Sequence, residues 1–385
     1  MTLVAIAFWL SAALIVYTHL GYPLLLRVLV RLRGRAAEER TGVADAGARA
    51  DPSPMPAVSL IVAAYDEEDV IETKIANALS LDYPRERLEL IVASDGSSDA
   101  TAERARAAGA DLVLELPRRG KLAAQNAAAE RAQGEVLAFS DANSVWRPDS
   151  LRRLVAPFAD PAVAYVCGQV RFLDPAGENL EGAYWRYEMG VRERESALAG
   201  VTAGNGAIYA VRAEAYLRLG PAGSHDLSLP FQLAKRGKRS LYVAEAKAEE
   251  KMVPTIEGEY ARKRRMMAGL WDIVVGERMV FPRGYSPLYA LELLSHRVLR
   301  YLTPFLHAIA FVSNFALLGS GGVYVVTYGI QVAAIAAAIM GGSFPVGPLR
   351  VARYYALTTL SIAAGLWDRF RHGAPGAWEK APGTR

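Results

Sequence analysis

The stretch Val58–Ala64 is a short, nearly unbroken apolar run, the mark of a strand covered on both faces in a parallel sheet. Residues 70–79 then change period: Ile71, Ile75, Ala78 and Leu79 recur at helical spacing. Leu88–Ser94 predicts a second buried strand, which runs directly into Asp95-Gly96-Ser97-Ser98-Asp99. A helix follows to about Ala108, capped by Ser98 or Asp99. Leu112–Leu116 predicts a third strand, 121–132 a helix, and Val136–Ser140 a fourth strand ending at Asp141. Strand and helix thus alternate from 57 to 150, which is the pattern of a doubly wound α/β layer. Further on, Ala207–Val211 reads as a strand and 258–275 as an amphipathic helix.

Two stretches break this globular pattern. Residues 1–26 and 301–349 carry no Asp, Glu, Lys or Arg. Residues 2–26 are long enough to cross about 30 Å of hydrocarbon at roughly 1.5 Å per residue. No Ala-x-Ala signal follows them before Arg27, so a cleaved leader is not the reading. Arg27, Arg31, Arg33 and Arg35 come next, and the positive-inside rule sets that end of the helix in the cytoplasm. Gly319, Gly321 and Gly322 divide the second stretch into spans of about 302–318 and 323–340, which return the chain to the cytoplasm at Arg350 and Arg353. Tyr354–Trp367 is short for a span, and crossing would export Arg369, Arg371, Lys380 and Arg385; an interfacial or re-entrant helix is expected, with a third C-terminal span as the other reading.

Composition adds exclusions. The chain has 385 residues, of which 52% are apolar and 22% charged, with a net charge of +4. Disordered, collagenous and coiled-coil classes are excluded. A single Cys, Cys167, rules out an internal disulfide framework and a multi-cysteine metal cluster. The arginines flank apolar segments, which fits membrane lipids as partners and no nucleic acid.

Asp95 and Asp141 fall just past the C-terminal ends of parallel strands, the edge at which open α/β sheets bind ligands. Lys121 opens the helix between them. Loop acids also serve as turn formers and helix caps, and either one alone would carry little. No Gly-x-Gly-x-x-Gly follows the first strand and no Walker sequence is present, so dehydrogenase and P-loop readings lose their main support.

Seven motifs in order carry a resemblance. They are Val58-Ser-Leu-Ile-Val-Ala-Ala-Tyr-Asp-Glu-Glu68, Ser94-Asp-Gly-Ser-Ser-Asp99, Gly120-Lys-Leu-Ala-Ala-Gln-Asn126, Phe139-Ser-Asp-Ala-Asn143, Gly204-Asn-Gly-Ala-Ile-Tyr-Ala-Val-Arg212, His225-Asp226 and Arg262-Lys-Arg-Arg265. Together they resemble glycosyltransferase family 2, the inverting family with the GT-A fold, over about residues 57–300. The membrane layout resembles the branch of chitooligosaccharide and hyaluronan synthases. The fold this implies is a Rossmann-like, doubly wound α/β GT-A domain in the cytoplasm, flanked by transmembrane helices. The implied division is an N-terminal membrane helix over 1–27, a basic flexible linker over 28–56 and the GT-A domain over 57–256. Interfacial helices with the Arg-rich motif take 257–300, a membrane hairpin 301–341, and an interfacial or third membrane helix with the tail 342–385.

By the same resemblance, Asp95 accepts a hydrogen bond from the nucleobase, Tyr65 and Glu67 line the nucleotide loop, and Lys121 approaches the nucleotide as a point charge. Asp141 and Asn143 stand where the family holds Mg²⁺ or Mn²⁺ through Asp-x-Asp. The second carboxylate is here an amide, which neutralises no charge. His225 either supplements the metal site or is a solvated loop residue. Asp226 becomes the general base that takes the acceptor's proton, although a helix N-cap is its simplest structural reading.

Arg262 and Arg265, at i and i+3 with Gly269 at i+7, share a helix face and would fork onto the leaving diphosphate; lipid headgroups are the other use of such a cluster. The family's next residue is Trp, where this chain has Met266, so a stacking platform for a growing sugar chain is missing. Gly204, Asn205 and Gly206 would border the acceptor, whereas Trp185, Tyr187 and Glu188 read as mostly core. The expected activity is transfer of a sugar from a nucleoside-diphosphate donor, a UDP-sugar, to a lipid-linked or saccharide acceptor at the cytoplasmic face of the cell (inner) membrane, in envelope or exopolysaccharide synthesis. A short-chain processive synthase is the alternative enzyme, and a membrane scaffold or transporter with a degenerate nucleotide-binding domain the alternative of another class.

Overall fold

The computed structural model describes residues 2–40, 55–173, 182–221, 223–251, 256–344 and 346–373. The chain divides into two compact units. One comprises 1–25, 254–271 and 291–375; the other comprises 26–253, 272–290 and the terminal residues from 376.

The larger unit is built on an eight-stranded sheet in the order β3-β2-β1-β4-β7-β6-β8-β5. Its strands are β1 (Val58–Ala64), β2 (Leu88–Asp95), β3 (Leu112–Leu116), β4 (Val136–Asp141), β5 (Val145–Trp146), β6 (Val163–Leu173), β7 (Ile208–Arg212) and β8 (Arg239–Lys251). The first four are parallel, as the alternating sequence predicts. β7 pairs antiparallel with β4 and β6, and the long β8 runs parallel to β6, with register shifts between Val163 and Tyr165 and between Cys167 and Gln169. β1 is buried at every position because helices cover both its faces. That explains why it lacks the alternation of a half-exposed strand.

The helices of this unit include α2 (Tyr22–Arg40), α3 (Ile71–Leu79), α4 (Thr101–Ala107), α5 (Lys121–Ala129), α6 (Ser150–Val155), α7 (Gly182–Leu198) and α8 (Ser228–Ala234). α2 corrects the expected linker: the backbone stays helical to Arg40, and the remainder of the linker at 41–54 lies outside the described residues. Of the two capping candidates for α4, Asp99 is the one that bonds the Thr101 amide, at 3.1 Å, while Ser98 bonds Asp66 instead. α5 ends at Ala129, three residues short of the expected end. Trp185 packs edge-on against Phe172, and Glu188 is buried, in line with a core role for that stretch.

The smaller unit is helical: α1 (Thr2–Val16), α9 (Ile256–Trp271), the last three residues of α10 (Pro287–Leu293), α11 (Leu299–Ala316), α12 (Gly322–Met340) and α13 (Gly347–His372). Among the described residues, two helices are long and apolar enough to cross a membrane, Thr2–Gly34 and Gly322–Met340. α11, which holds the expected span 302–318 and contains Pro304, His307 and Asn314, is not one of the two. The segment Tyr354–Trp367 is not a separate short helix. It lies inside the 26-residue α13, about 39 Å long, which begins before Arg350 and Arg353 and continues past Asp368. α9 and α13 are joined by the Lys263 ammonium, which donates to Tyr354 Oη at 2.7 Å, and by the Arg264 fork on Asp368 at 2.5 and 2.6 Å. Gly365 makes this close contact possible: a Cβ there would stand 2.6 Å from Met267 Cβ.

Candidate active site

Strand register places the acids. Ala64 pairs with Ser94 and Ala63 with Asp141, so Asp95, Tyr65 and Asp141 emerge together at the C-terminal edge of β2, β1 and β4. Strands lie about 4.8 Å apart, so the two acids flank β1 at roughly 10 Å from each other. The loop after β1 is laced to the loop after β2. Asp66 adopts a left-handed φ of 49° and accepts the Ser98 amide at 2.7 Å, while the Glu67 amide donates to Thr101 Oγ1 at 2.7 Å. Glu67 is buried, at 1% exposure, beneath this turn, and Tyr65 is half-buried at the rim.

Asp95 is held from the other side. Its Oδ1 accepts the amides of Arg119 at 2.8 Å and Gly120 at 3.1 Å, and its Oδ2 accepts Gly120 at 2.9 Å. Two backbone N–H groups, the second shared between both oxygens, hold the carboxylate in place. The same loop then delivers Lys121, at the start of α5, whose ammonium pairs with the Asp141 carboxylate. Gly206 lies beside this pair, since a Cβ there would stand 3.7 Å from Lys121 Nζ. Two residues earlier, the Gly204 amide donates to the Asp226 carbonyl at 2.6 Å. These contacts link Asp95, Lys121, Asp141, Gly204, Gly206 and Asp226 in one continuous cluster within the larger unit. Asn205 shares the loop, but both ends of its amide bond backbone, at the Gly168 carbonyl and the Ile208 amide. Gly204 leaves no room for a side chain, because the Tyr165 hydroxyl fills the position a Cβ would take.

Asp226 is half-buried, accepts from the Ser224 hydroxyl, and precedes α8 without capping it. Its neighbour corrects an expectation. His225 is neither a metal ligand nor a solvated loop residue; it is 4% exposed and ringed by Phe139, Tyr209 and Tyr216. Nδ1 lies 2.6 Å from Tyr209 Oη and Nε2 lies 3.1 Å from Tyr216 Oη. Tyr216 donates to Asn126 Oδ1 at 2.7 Å and Gln125 Nε2 donates to Tyr209 Oη at 3.2 Å. Each phenol has one proton, so the chain runs one way: Tyr209 donates to Nδ1, and Nε2–H donates to Tyr216. The imidazole is therefore neutral and fully used. Burial, with the Lys121 charge, pushes its pKa down to about 3. Burial likewise pushes the Tyr209 and Tyr216 phenols up; for Tyr209 the charges of Asp141 and Asp226 add to the effect.

Asp141 and Asn143 fit a hard divalent cation as donors. They are two half-buried oxygen-bearing residues, Asp141 at the end of β4 and Asn143 in the turn after it, and among the described residues no group of three His, Cys, Asp or Glu side chains surrounds them. A partial donor set of this kind suits Mg²⁺ or Mn²⁺, which keep water and phosphate oxygens as further ligands. The turn is anchored from beneath by a residue the sequence reading missed. Lys74 is buried, at 1% exposure, and donates to the Ser144 carbonyl at 2.7 Å. Burial pushes its pKa down to about 7, against the opposing pull of Asp141 and Glu250. The signal was its position at i+3 from Ile71, on the apolar face of α3.

Arg262 and Arg265 belong to the helical unit. On α9 they lie away from the contacts that Lys263, Arg264 and Met267 make with α13; Arg265 is exposed, and Arg262 is half-buried with Nη1 3.4 Å from Met266 Sδ. Arg118 was not among the expected site residues, although it opens the basic run Arg118-Arg119-Gly120-Lys121 at the end of β3.

The sequence matches the family described as Glycosyl transferase family 2 over residues 59–216, the part of the sheet that carries Tyr65, Asp95, Lys121, Asp141 and the 204–206 loop. The chain carries a family 2 glycosyltransferase domain. Its mixed α/β sheet has the GT-A-like fold. "Glycosyltransferase AglE" of Haloferax volcanii is 31% identical over 34% of this chain and 45% of its own length. The poly-beta-1,6-N-acetyl-D-glucosamine synthase of Staphylococcus aureus is 25% identical over 57% of this chain and 55% of its own. The chain thus spans about half the length of these curated relatives. Among solved structures, the mannosyltransferase PcManGT of Pyrobaculum calidifontis, in complex with GDP-Man and Mn²⁺, shares the fold at a TM-score of 0.71. That match is 24% identical and covers 95% of this chain and 99% of the other.

Proposed function

We propose that the protein is a membrane-anchored, inverting glycosyltransferase that moves a sugar from a nucleoside-diphosphate donor, a UDP-sugar, to a lipid-linked or saccharide acceptor. The observation that carries this is the contact chain from Asp95 through Lys121 and Asp141 to the 204–206 loop and Asp226. A nucleoside-diphosphate sugar needs an acceptor for a base N–H, positive charge for the diphosphate and a base beside the acceptor hydroxyl. The cluster supplies all three.

In this reading Asp95 receives the base N–H beside Tyr65. Lys121 neutralises the diphosphate, and Asp141 with Asn143 holds Mg²⁺ or Mn²⁺. That ion would supply the positive charge that stabilises the leaving diphosphate. Asp226 accepts the proton of the acceptor hydroxyl as its oxygen bonds to the anomeric carbon and the bond to the diphosphate oxygen breaks, a proton transfer that contributes about 10²–10⁴-fold. Arg262 and Arg265 are assigned to the departing diphosphate on the resemblance of their motif to the family's, and guanidinium forks suit phosphate oxygens. Gly204, Asn205 and Gly206 border the acceptor. Met266 in place of the family's Trp favours transfer of one or a few sugars over polymerisation.

Membrane anchoring is supported by Thr2–Gly34 and Gly322–Met340. Arg27, Arg31 and Arg33, in the C-terminal turns of the first helix, favour a cytoplasmic larger unit at the inner membrane. The test is nucleotide release by detergent-purified protein with UDP-, GDP- and dTDP-sugars, Mn²⁺ or Mg²⁺, and polyprenyl-linked or saccharide acceptors. The reading expects release with a UDP-sugar that rises on adding acceptor; release with no donor would overturn it.

A further inference from the structure

The carbon at the centre of the Arg118 guanidinium lies 3.0 Å from the centroid of the Tyr65 ring, which is stacking contact with nothing between them. The Arg118 Nη1 faces Asp95 Oδ2 at 3.6 Å, an ion-pair distance too long for a hydrogen bond. Asp95 is 2% exposed at its side chain and Arg118 is 27% exposed, so the arginine is the outer partner. The backbone is brought close on purpose-built geometry: Gly96 adopts a φ of 69°, and a Cβ there would stand 2.8 Å from the Arg118 amide nitrogen.

A planar, delocalised group that stacks on an aromatic face and points N–H donors at a carboxylate has the chemistry of a nucleobase edge. Asp95 has both oxygens bonded to the Arg119 and Gly120 amides, and the Arg118 Nη1 stands farther off, at 3.6 Å. A base N–H at ordinary hydrogen-bond length would be the better partner there. The loop therefore satisfies the base pocket loosely from within.

Resting on the assignment of Asp95 and Tyr65 to the nucleobase, we propose that Arg118 is the pocket's own occupant, which holds the place of the base and must swing away before a nucleoside diphosphate binds. The side chain is long, partly exposed and anchored on the same loop that carries Lys121, so it can leave without unfolding α5. Its removal should tighten ligands that bring a base and leave unchanged those that bring only phosphate.

The experiment measures UDP, GDP and inorganic pyrophosphate binding by calorimetry, with Mn²⁺, for wild type, R118A and R118K in detergent. R118A is expected to bind the nucleoside diphosphates about tenfold more tightly and pyrophosphate no more tightly. R118K, which keeps the charge and loses the stacking plane, is expected between them. If R118A binds UDP and GDP equally or more weakly than wild type, or tightens pyrophosphate by the same factor, the proposal is overturned while the donor-site reading stands. If neither UDP nor GDP binds wild type or R118A, the donor-site reading fails and the proposal with it.

Discussion

The Lys121 ammonium is paired with the Asp141 carboxylate, and the pair is only partly exposed, at 22% and 25% of the two side chains. Without nucleotide, the lysine therefore neutralises the carboxylate assigned to the metal. Removing it has opposite effects on the two ligands. K121M is expected to bind Mn²⁺ alone several-fold more tightly, because Asp141 is released. It is expected to bind UDP about tenfold or more weakly. Titration of Mn²⁺ by electron paramagnetic resonance, and of UDP by calorimetry, checks both; weaker Mn²⁺ binding would contradict the pairing's role.

His225 makes the fold sensitive to acid. Its folded pKa is lowered by burial to about 3, from an ordinary 6.5. Above about pH 6.5 it is neutral whether folded or unfolded, and its hydrogen bonds contribute fully. As pH falls from 6.5 toward 3, the unfolded chain takes up a proton that the folded one refuses, so stability drops. The H225Q variant keeps a donor and an acceptor but does not titrate. Wild type should therefore lose denaturant midpoint more steeply than H225Q between pH 6.5 and 4.5; parallel curves would contradict a neutral, locked imidazole.

Lys74 acts in a different window. With its folded pKa lowered to about 7 by burial, from 10.5, the cost of carrying its charge is complete below pH 7 and is relieved as pH rises toward 10.5. Relative to K74M, wild type should gain stability between pH 7 and 10, by roughly 1 kcal/mol per pH unit. Because the ammonium also anchors the Ser144 carbonyl, K74M should weaken Mn²⁺ binding at neutral pH. Denaturant unfolding of both proteins at pH 7, 8.5 and 10 tests this, and a pH-independent difference would contradict it.

Gly204 is set against the Tyr165 hydroxyl, which is buried without a hydrogen-bond partner. G204A forces one of them to move, at a cost of about 1–3 kcal/mol. The double variant G204A/Y165F removes the oxygen that clashes and should recover most of that stability. Thermal unfolding of the three proteins would show it, and no recovery would mean the strain lies elsewhere in the loop.

The parallel half of the sheet was legible because strands buried on both faces leave continuous apolar runs, as at Val58–Ala64, and because Asp95 and Asp141 end theirs. The antiparallel half was not, apart from β7. β5 has two residues, and β6 and β8 change register midway, so neither keeps one period. α13 was hidden for another reason: Arg350 and Arg353 interrupt the apolar run, but arginine is a good helix former and does not stop a helix. His225 and Arg118 were misread or missed because their partners, Tyr209, Tyr216 and Tyr65, are remote in sequence. A polar loop residue gives no sign of whether the fold will close over it.

The assignment of Asp226 as the base beside the 204–206 loop is tested most directly by D226N. Once a donor and acceptor pair has been found, steady-state sugar transfer and UDP affinity are measured on wild type and variant. The account predicts transfer lower by two to four orders of magnitude, as loss of a general base implies, with UDP affinity within about twofold of wild type. Transfer by D226N at a rate near wild type would contradict it.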